Sequence, residues 1–409
     1  MNGSHGIRHD AATPTPSALA GVRIADFSRV LAGPYATMLL ADLGADVVKV
    51  ERPESGDETR AWHPPADDDG TSTYYLGVNR NKRSVELDLH TAGGLARARE
   101  LTEGCDVVVE NFRPGTMNRL GLGYLDLRET NPGLVYCSIS GFGTTGGAAI
   151  PGYDLLVQAV GGLMSVTGEP DGPPQKAGVA LVDVITGLHA ALGVLAALRH
   201  RQATGRGQLV EVNLLGSLLS AMVNQAAGYA IAGVVPERLG TAHPSIAPYE
   251  IFETADRPVA LAVGNDRQFA TLAAALGLRH LAGDARFCTN ADRVAHRVQL
   301  RALLTKRLRS AGADHWSALL TARGVPAGPV NSLDEAFAFA DRLGLPTIVD
   351  IPAYRRGSRR GAPARQVANP IALSETPAQY RLPPPRLGEH NAAIFAGATD
   401  RSPILKGTT

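Results

Sequence analysis

The feature that most constrains the fold is a tight repeat of strand, helix and strand near the start of the sequence. The β-rich run 22–27 is followed by Gly33-Pro34, a pair suited to the first turn of a helix, and by the apolar helical pattern 35–43. Gly44 then occupies the usual position after a helix, and residues 46–51 form a second apolar strand. Spacing this short predicts parallel strands joined by a right-handed crossover.

The same alternation continues along the first half of the chain. Further apolar strands are predicted at 106–111, 134–139 and 209–212, with helices between them. Strands that are apolar on both faces suit a parallel sheet covered by helices. We therefore predict an α/β fold with an open, Rossmann-like parallel sheet in a large domain over residues 18–222.

The remaining segments have different patterns, and they predict a smaller α+β domain over 223–329. Residues 249–252 and 259–263 flank a polar turn and indicate a hairpin, and Ala/Leu/Arg-rich helical segments follow. Residues 330–409 contain few strong elements and are expected to return to the large domain. Residues 1–17 are interpreted as a disordered tail, because they lack the apolar core of a signal peptide.

Charge and cysteine content exclude several classes of protein. The 409 residues include 40 Lys and Arg against 39 Asp and Glu, and this balance argues against a nucleic-acid-binding protein. Three separated cysteines without a C-x-x-C pair argue against a disulfide framework or a cysteine zinc site and favour a reducing cytoplasm. No stretch of about 20 uninterrupted apolar residues is present, so no membrane span is expected. The histidines are scattered, and no metal site is predicted.

One nucleotide motif is present, in a poor context. Residues 141–146 fit G-x-G-x-x-G directly after a strand, but the residues that follow are a poor start for a long helix. The dinucleotide fingerprint also belongs on the first strand–helix turn of its domain, which here is 31–34. A flexible glycine loop beside a site is the preferred interpretation. The P-loop of ATP-binding proteins is absent.

Asp183 opens a predicted helix at the end of an apolar run, and it has two possible roles there. A rigid Gly/Pro-rich turn at 169–174 precedes that run. Position alone favours a helix N-cap, a role that Asp fills well. The alternative is a carboxylate in a cleft at a positive helix end, which stays ionised and can act as a nucleophile.

Several motifs occur in a fixed order over residues 20–395. They are GVRIADF at 21–27, AGP at 32–34, LGADVVKVE at 43–51, NKRS at 81–84, ENFRPG at 110–115, GYD at 152–154, TGRGQ at 204–208 and LGEH at 387–390. In these motifs the chain resembles the class III coenzyme A (CoA) transferases, the CaiB/BaiF family. That family includes formyl-CoA transferase, carnitine CoA-transferase and the α-methylacyl-CoA racemases.

The resemblance implies an enzyme that transfers CoA from an acyl-CoA to a carboxylic acid. An aspartate that opens a helix after a Gly/Pro-rich turn is the nucleophile of this family, and Asp183 matches it. The carboxylate would form a mixed anhydride and then an aspartyl-CoA thioester, so no ATP and no permanently bound cofactor are needed. The family also implies an interlocked, ring-like homodimer. Its other expected partners are acyl-CoA and the acid, without nucleic acid or membrane.

The resemblance also implies which residues line the CoA site. They are Leu31, Ala32, Arg52, Leu87, His90, Asn111, Phe112, Arg113, Arg119, Tyr153 and Asp154. Several follow predicted strands, at the edge where open α/β sheets bind ligands. Arg52 and Arg119 would face the nucleotide end of CoA, and Leu87 and His90 would lie near the adenine. Each residue singly also has an ordinary alternative as a solvated arginine or a core side chain.

Departures from the family patterns favour one branch. The racemases carry a histidine base where this chain has Tyr153, and a phenol with a pKa near 10 is a poor base for an α-proton. The formyl and oxalate enzymes carry glutamine where this chain has Leu31. Residues 240–250 resemble instead the succinyl-CoA-dependent dicarboxylate transferases. His243 and Ser245 are therefore candidate ligands of the acid, although His243 could equally pack in a turn.

Two other functions stay open. The first is an α-methylacyl-CoA racemase on the same fold, which would exchange the α-proton of its substrate with solvent. The second is a non-catalytic CoA or nucleic-acid binder, suggested by the basic cluster 355–360. A solvated basic loop is the simpler explanation of that cluster.

Overall fold

The computed structural model describes residues 17–351 and 364–396, which form two compact units. Within these limits the first unit contains 17–161, 179–223, 346–351 and 364–396, and the second contains 162–178 and 224–345. Residues 162–178 and 330–345, which the sequence places with the large domain, thus fall in the second unit. The predicted tail, up to residue 16, and the basic cluster 355–360 lie outside the described residues.

Six parallel strands form the sheet of the first unit in the order β3-β2-β1-β4-β5-β6. They are β1 (Arg23–Asp26), β2 (Asp46–Glu51), β3 (Lys82–Glu86), β4 (Val107–Glu110), β5 (Val135–Ser140) and β6 (Leu209–Asn213). This is the strand order of doubly wound dinucleotide-binding folds. The predicted open parallel sheet is confirmed, and it brings the carboxyl ends of all six strands to one edge.

Two smaller antiparallel sheets complete the strands. In the second unit, β7 (Tyr249–Phe252), β8 (Val259–Ala262) and β9 (Ala327–Pro329) pair in the order β7-β8-β9. The hairpin predicted from the sequence is the β7–β8 pair. In the first unit, β10 (Ile348–Ile351) pairs with β11 (Ala364–Val367).

Fifteen α-helices accompany these strands in the described part of the chain. They are α1 (Ala32–Asp42), α2 (Thr73–Gly77), α3 (Ala92–Glu103), α4 (Thr116–Arg119), α5 (Tyr124–Thr130), α6 (Asp154–Val160), α7 (Leu181–Thr204), α8 (Leu214–Ala221), α9 (Val223–Ala232), α10 (Asp266–Ala275), α11 (Asn290–Ala295), α12 (Arg297–Leu308), α13 (Ala313–Thr321), α14 (Leu333–Arg342) and α15 (Asn391–Phe395). Short 3-10 turns lie at Glu58–Ala61 and Arg279–Gly283.

Strand β3 was not predicted, because its sequence is polar. Lys82 and Ser84 are nevertheless fully buried. The Lys82 ammonium group lies 3.1 Å from a carboxylate oxygen of Asp26 on β1, and Ser84 donates to Glu51 on β2 at 2.6 Å. Burial lowers the pKa of Lys82 to about 8. Polar partners on β2 and β1 therefore replace the apolar side chains that a buried strand normally carries.

Helix α7 is the long core helix of the first unit. It packs on α1, where the missing side chain of Gly187 allows close approach: a Cβ atom there would lie 2.6 Å from the carbonyl oxygen of Ala32. By length and composition it is the one described single helix that could cross a membrane, and the bent pair α8–α9 would be the second candidate. Gly205, in the left-handed region with φ 72°, ends the helix.

The second unit has its own apolar core, which lies between its antiparallel sheet and its helices. Trp316, Phe269 and Phe287 are at most 1% exposed and are among the largest side chains in it. Strands and helices both contribute side chains to this core.

Candidate active site

A cavity opens in the first unit at the carboxyl ends of β1, β4 and β5, and Asp183 is in its wall. Seven residues proposed from the sequence line it: Leu31, Ala32, Asn111, Phe112, Arg113, Tyr153 and Asp183. Arg29, Glu58, Ile139, Ile150 and Leu214 line it as well. The strand-end position follows from the parallel sheet, since ligands of such sheets bind at this edge.

Asp183 is not the cap of its helix. Helix α7 begins at Leu181, so Asp183 is its third residue, and the cap position is Ala180, which has no side-chain acceptor. The cap is supplied by Asp154 at the start of α6. Its Oδ1 accepts the backbone N–H groups of Val182 at 2.8 Å and of Asp183 at 3.2 Å. A tertiary contact therefore satisfies the helix end and leaves the Asp183 carboxylate free of that task.

The environment of Asp183 favours its protonated form. Burial, and secondarily the nearby charge of Asp154, raises the pKa of the Asp183 carboxyl to about 7. Burial and the charge of Asp154 thus act against the ionised form that the sequence argument expects at a positive helix end. The carboxylate is correspondingly more basic than an ordinary aspartate, and at pH 7 about half of it is ionised.

The loop between β1 and α1, residues 27–31, is fixed by the half-buried Asn111 and the buried Lys49. The Asn111 amide donates to the carbonyl oxygen of Arg29 at 2.7 Å and accepts the N–H of Arg29 at 2.8 Å. Lys49 donates to the carbonyl oxygen of Ser28 at 2.9 Å and to Asp57 at 2.8 Å. Val30 has φ 68°, which is strained for a β-branched residue. The Asn111 amide thus forms its hydrogen bonds with the protein backbone.

A second cavity of the first unit is lined by proposed CoA ligands that the first cavity lacks, whereas Asp154 lines neither cavity. Arg52, Leu87, His90, Phe112 and Arg119 line it, with the apolar side chains Phe27, Val50, Leu89 and Leu120. Arg52 and Arg119 are exposed, and among the described residues they bond only to nearby hydroxyl groups, of Ser55 at 2.9 Å and Thr116 at 3.0 Å. The cavity thus combines an apolar slot with two cationic side chains at its edge.

Gly141, the first residue of the glycine pattern 141–146, has a packing role. A Cβ atom on Gly141 would lie 2.6 Å from the Cα atom of Gly152. The two chain segments therefore approach more closely than any other residue allows. Both glycines line the Asp183 cavity, and Gly152 directly precedes Tyr153.

His243 and Ser245 lie in the second unit, in the segment before β7. Nδ1 of His243 accepts the backbone N–H of Ser245 at 3.1 Å, which places the proton of a neutral ring on Nε2. The His243 ring also packs at 5.3 Å from the Tyr249 ring. Arg297 donates to the carbonyl oxygens of His243 and Pro244. The turn is thus held by contacts within the second unit, and among the described residues Nε2 of His243 has no hydrogen-bond partner.

Three residues near Asp183 were missed by sequence reasoning. Arg29 follows β1, so the strand-end rule that selected Asn111 could have found it. Glu58 begins a 3-10 turn, and no sequence pattern indicated that it belongs to the site. The charges of Asp183 and Asp154 contribute, after burial, to raising the pKa of Tyr74 to about 12, so its phenol stays protonated beside them. Within the described residues, no group of three or more metal-ligating side chains is close enough to hold an ion.

Known proteins are similar to this chain over most of its length. The model of "CoA-transferase family III" matches residues 19–391. The chain belongs to CoA-transferase family III. It is therefore an enzyme that transfers CoA, with an acyl-CoA as substrate.

Relatives with named activities cover almost the whole chain. A succinate–glutarate CoA-transferase of Agrobacterium fabrum is 46% identical over 385 residues, which are 92% of this chain and 95% of that protein. A succinyl-CoA:glutarate CoA-transferase of Homo sapiens is 42% identical, over 92% of this chain and 85% of that protein. Among solved structures, a CAIB/BAIF family protein from Brucella suis is 41% identical with a TM-score of 0.82, covering 93% of this chain and 99% of that one.

Proposed function

We propose that this family III enzyme transfers CoA from succinyl-CoA to a small dicarboxylic acid, with Asp183 as the covalent nucleophile. The observation that carries the proposal is the placement of the Asp183 carboxylate. It lies in a cavity wall on the first turn of a long core helix, and Asp154 rather than Asp183 caps that helix. Within the described residues no group donates a hydrogen bond to it, so its lone pairs remain available for attack.

The proposed reaction conserves the thioester through covalent intermediates. A carboxylate oxygen of Asp183 attacks the thioester carbon, the carbon–sulfur bond breaks, and CoA leaves as a thiolate. The thiolate attacks the aspartyl carbon of the mixed anhydride, which releases the donor carboxylate and leaves an aspartyl-CoA thioester. The acceptor carboxylate then repeats the two steps in reverse order and regenerates Asp183. No net proton transfer or redox partner is required.

The high pKa of Asp183 suits this chemistry. A more basic carboxylate is a better nucleophile toward a thioester, and the apolar wall provided by Ile139, Ile150 and Leu214 limits the access of water to the acyl-enzyme. The anhydride and the aspartyl thioester are neutral at the Asp183 oxygen. Forming them therefore removes the charge that burial and Asp154 disfavour.

The dicarboxylate assignment rests on the sequence of the second unit and on the named relatives. The Agrobacterium and human relatives carry glutarate, with succinate or succinyl-CoA, in their names. A second carboxylate buried without a partner would be very costly, so its site requires converging donors. Nε2 of His243 and the hydroxyl of Ser245 are proposed as those donors.

The nucleophile is tested by trapping and substitution. Asp183→Ala is expected to lower turnover by several orders of magnitude while the protein still binds CoA. Hydroxylamine added during turnover should convert the aspartyl thioester to a hydroxamate on the peptide that contains Asp183, detected by mass spectrometry. Retention of a tenth of wild-type turnover in the alanine variant would contradict the assignment.

The acid specificity is tested by pairs of substrates. Succinyl-CoA and butyryl-CoA have four-carbon acyl groups and differ in the distal carboxylate. We expect the wild-type enzyme to prefer succinyl-CoA, and His243→Ala to raise the KM for succinyl-CoA far more than for butyryl-CoA. Equal use of both thioesters by the wild-type enzyme would refute the dicarboxylate assignment and leave the CoA transfer intact.

The family resemblance also leads us to propose an interlocked homodimer. The first unit exposes apolar side chains on three helices that pack together, which a second chain would cover: Leu155, Leu156 and Val160 on α6, Leu188 and Leu192 on α7, and Leu219 on α8. Exposed apolar patches of this kind mark protein interfaces. Sedimentation equilibrium is expected to show a dimer at nanomolar concentration, and a folded monomer there would contradict the proposal.

We further propose a cytoplasmic location and no permanently bound cofactor. The cysteines Cys105, Cys137 and Cys288 are all free thiols, as a reducing compartment would leave them. Native mass spectrometry of the purified enzyme, compared with the sequence mass, would reveal any tightly bound group.

A further inference from the structure

Arg29 lies at the wall shared by the two cavities of the first unit. It lines the Asp183 cavity and also the cavity that contains Arg52, His90 and Arg119. Phe112 is the other side chain common to both, and the Arg29 guanidinium carbon lies 4.9 Å from the centre of its ring. A ligand that occupies both cavities must therefore pass this pair.

The guanidinium group of Arg29 is incompletely satisfied. Its Nε atom is buried and has no hydrogen-bond partner among the described residues. Its NH1 atom has one long contact, 3.4 Å, to the carboxylate of Glu58, and both side chains of that pair are about one-third exposed. A guanidinium has five donors and no acceptor, so a small rotation about its side chain would let it meet an anion at two donors.

The backbone of Arg29 is held much more firmly than its side chain. Asn111 bonds to both its N–H and its carbonyl oxygen. The next residue, Val30, is kept in its strained conformation while its N–H contacts the buried carboxylate of Asp57 at 3.3 Å. A rigid backbone under a partly free cationic side chain is the arrangement expected of a binding residue that is positioned in advance.

We propose that Arg29 binds the diphosphate of acyl-CoA where the ligand passes from the nucleotide cavity to the Asp183 cavity. The inference rests on the proposed CoA site. The thioester must reach Asp183, and the apolar slot with Arg52 and Arg119 suits the nucleoside. The diphosphate joins the nucleoside to the pantetheine arm, so it is the anionic group nearest to the shared wall. Arginine binds phosphate oxygens through two parallel N–H donors, which a lysine cannot reproduce.

Glu58 gives the proposal a second, independent consequence. Its carboxylate faces Arg29 and lines the Asp183 cavity, so it competes with an anionic ligand for the guanidinium. Removal of its charge in Glu58→Gln should release Arg29 and tighten the binding of CoA several-fold.

The test measures equilibrium binding to the full-length protein, so it does not depend on turnover. Three ligands distinguish the anionic groups: CoA, 3′-dephospho-CoA, which keeps the diphosphate, and pantetheine, which lacks it. Each is titrated calorimetrically, and the affinity of the weakest ligand is measured by its competition with CoA. Arg29→Gln is expected to weaken CoA and 3′-dephospho-CoA alike by about 10- to 100-fold, which is about 1.4 to 2.8 kcal/mol, and to leave pantetheine unchanged. Arg29→Lys should lose a smaller part of the affinity.

The matched control is Arg128→Gln. Arg128 also stacks on an aromatic ring, that of Tyr124 at 5.4 Å, but it lines neither cavity, so its substitution should leave all three affinities unchanged. Three results would overturn the proposal: unchanged CoA affinity in Arg29→Gln, a loss for CoA but not for 3′-dephospho-CoA, or an equal loss for pantetheine. If the wild-type protein binds no CoA, the proposed function fails together with this inference.

Discussion

Replacing Asp154 by asparagine should shift the acidic limb of the pH–rate profile to lower pH. The Asp154 carboxylate raises the pKa of Asp183 through its charge, as the second cause after burial. Asparagine removes that charge and keeps an oxygen that can accept the N–H groups of Val182 and Asp183. The helix end should therefore survive at a cost of about 1 kcal/mol or less, while Asp183, the proposed nucleophile, becomes a stronger acid.

The size of the effect follows from the pKa of about 7 for Asp183. With that pKa, about 10% of the carboxyl is ionised at pH 6 and about 90% at pH 8. The wild-type kcat/KM at pH 6 should thus be about a tenth of its value at pH 8. In Asp154→Asn the ratio should rise toward one. The pKa should stay above the ordinary value of 3.8, because the burial of Asp183 is unchanged.

The assay is kcat/KM for CoA transfer from pH 5.5 to 8.5, which reports ionisations of the free enzyme. Glu110 is the rival group, since burial raises its pKa to about 7 while it accepts the N–H of Phe112. Glu110→Gln should leave the limb in place if Asp183 is responsible. Glu58→Gln is the matched control, because Glu58 lines the same cavity and is not a cause of the Asp183 shift.

Two results would refute this reasoning. One is an acidic limb that keeps its midpoint in Asp154→Asn. The other is a limb that disappears in Glu110→Gln, which would assign the ionisation to the residue that holds Phe112. Differential scanning calorimetry of each variant separates these outcomes from a loss of folded protein.

Three further predictions concern stability and packing. Asp183→Asn should raise the free energy of unfolding by about 1 kcal/mol or more, after allowance for solvent screening, and the gain should be larger at pH 8 than at pH 5. The reason is that the raised pKa of Asp183 makes its ionisation cost stability as the pH increases toward 7. Equal urea midpoints for variant and wild type at pH 8 would contradict this. Asp57→Asn should lower the free energy of unfolding by about 3 kcal/mol, since the Asp57 carboxylate and the Lys49 ammonium group are fully buried and 2.8 Å apart. A loss below about 1 kcal/mol in urea unfolding would argue against a stabilising role of this ion pair. Gly141→Ala should lower kcat/KM about 10-fold or more, because its Cβ atom would displace Gly152 and the adjoining cavity wall; unchanged kinetics would show that the loop adapts.

The buried polar residues of the sheet could not be predicted from the sequence. Strand β3 escaped prediction because a buried lysine and serine gave no apolar pattern, and their partners Asp26 and Glu51 lie 33 or more positions away in the chain. The expected helix at 35–43 begins three residues earlier in the structure, at Ala32. Local propensity cannot report the burial of β3, since that burial depends on contacts between distant segments.

The sequence by itself determined the parallel sheet, the hairpin and the family. Short spacing between apolar runs permits few topologies, and a fixed order of motifs over 20–395 is specific. Only the tertiary structure showed that Asp183 is not the cap of its helix. From its position alone it was best explained as a cap, but a carboxylate 29 positions earlier takes that role. The same contact adds to the desolvation that raises the pKa of Asp183. Burial and charge at a site are set by side chains that meet in space, and the order of residues does not record them.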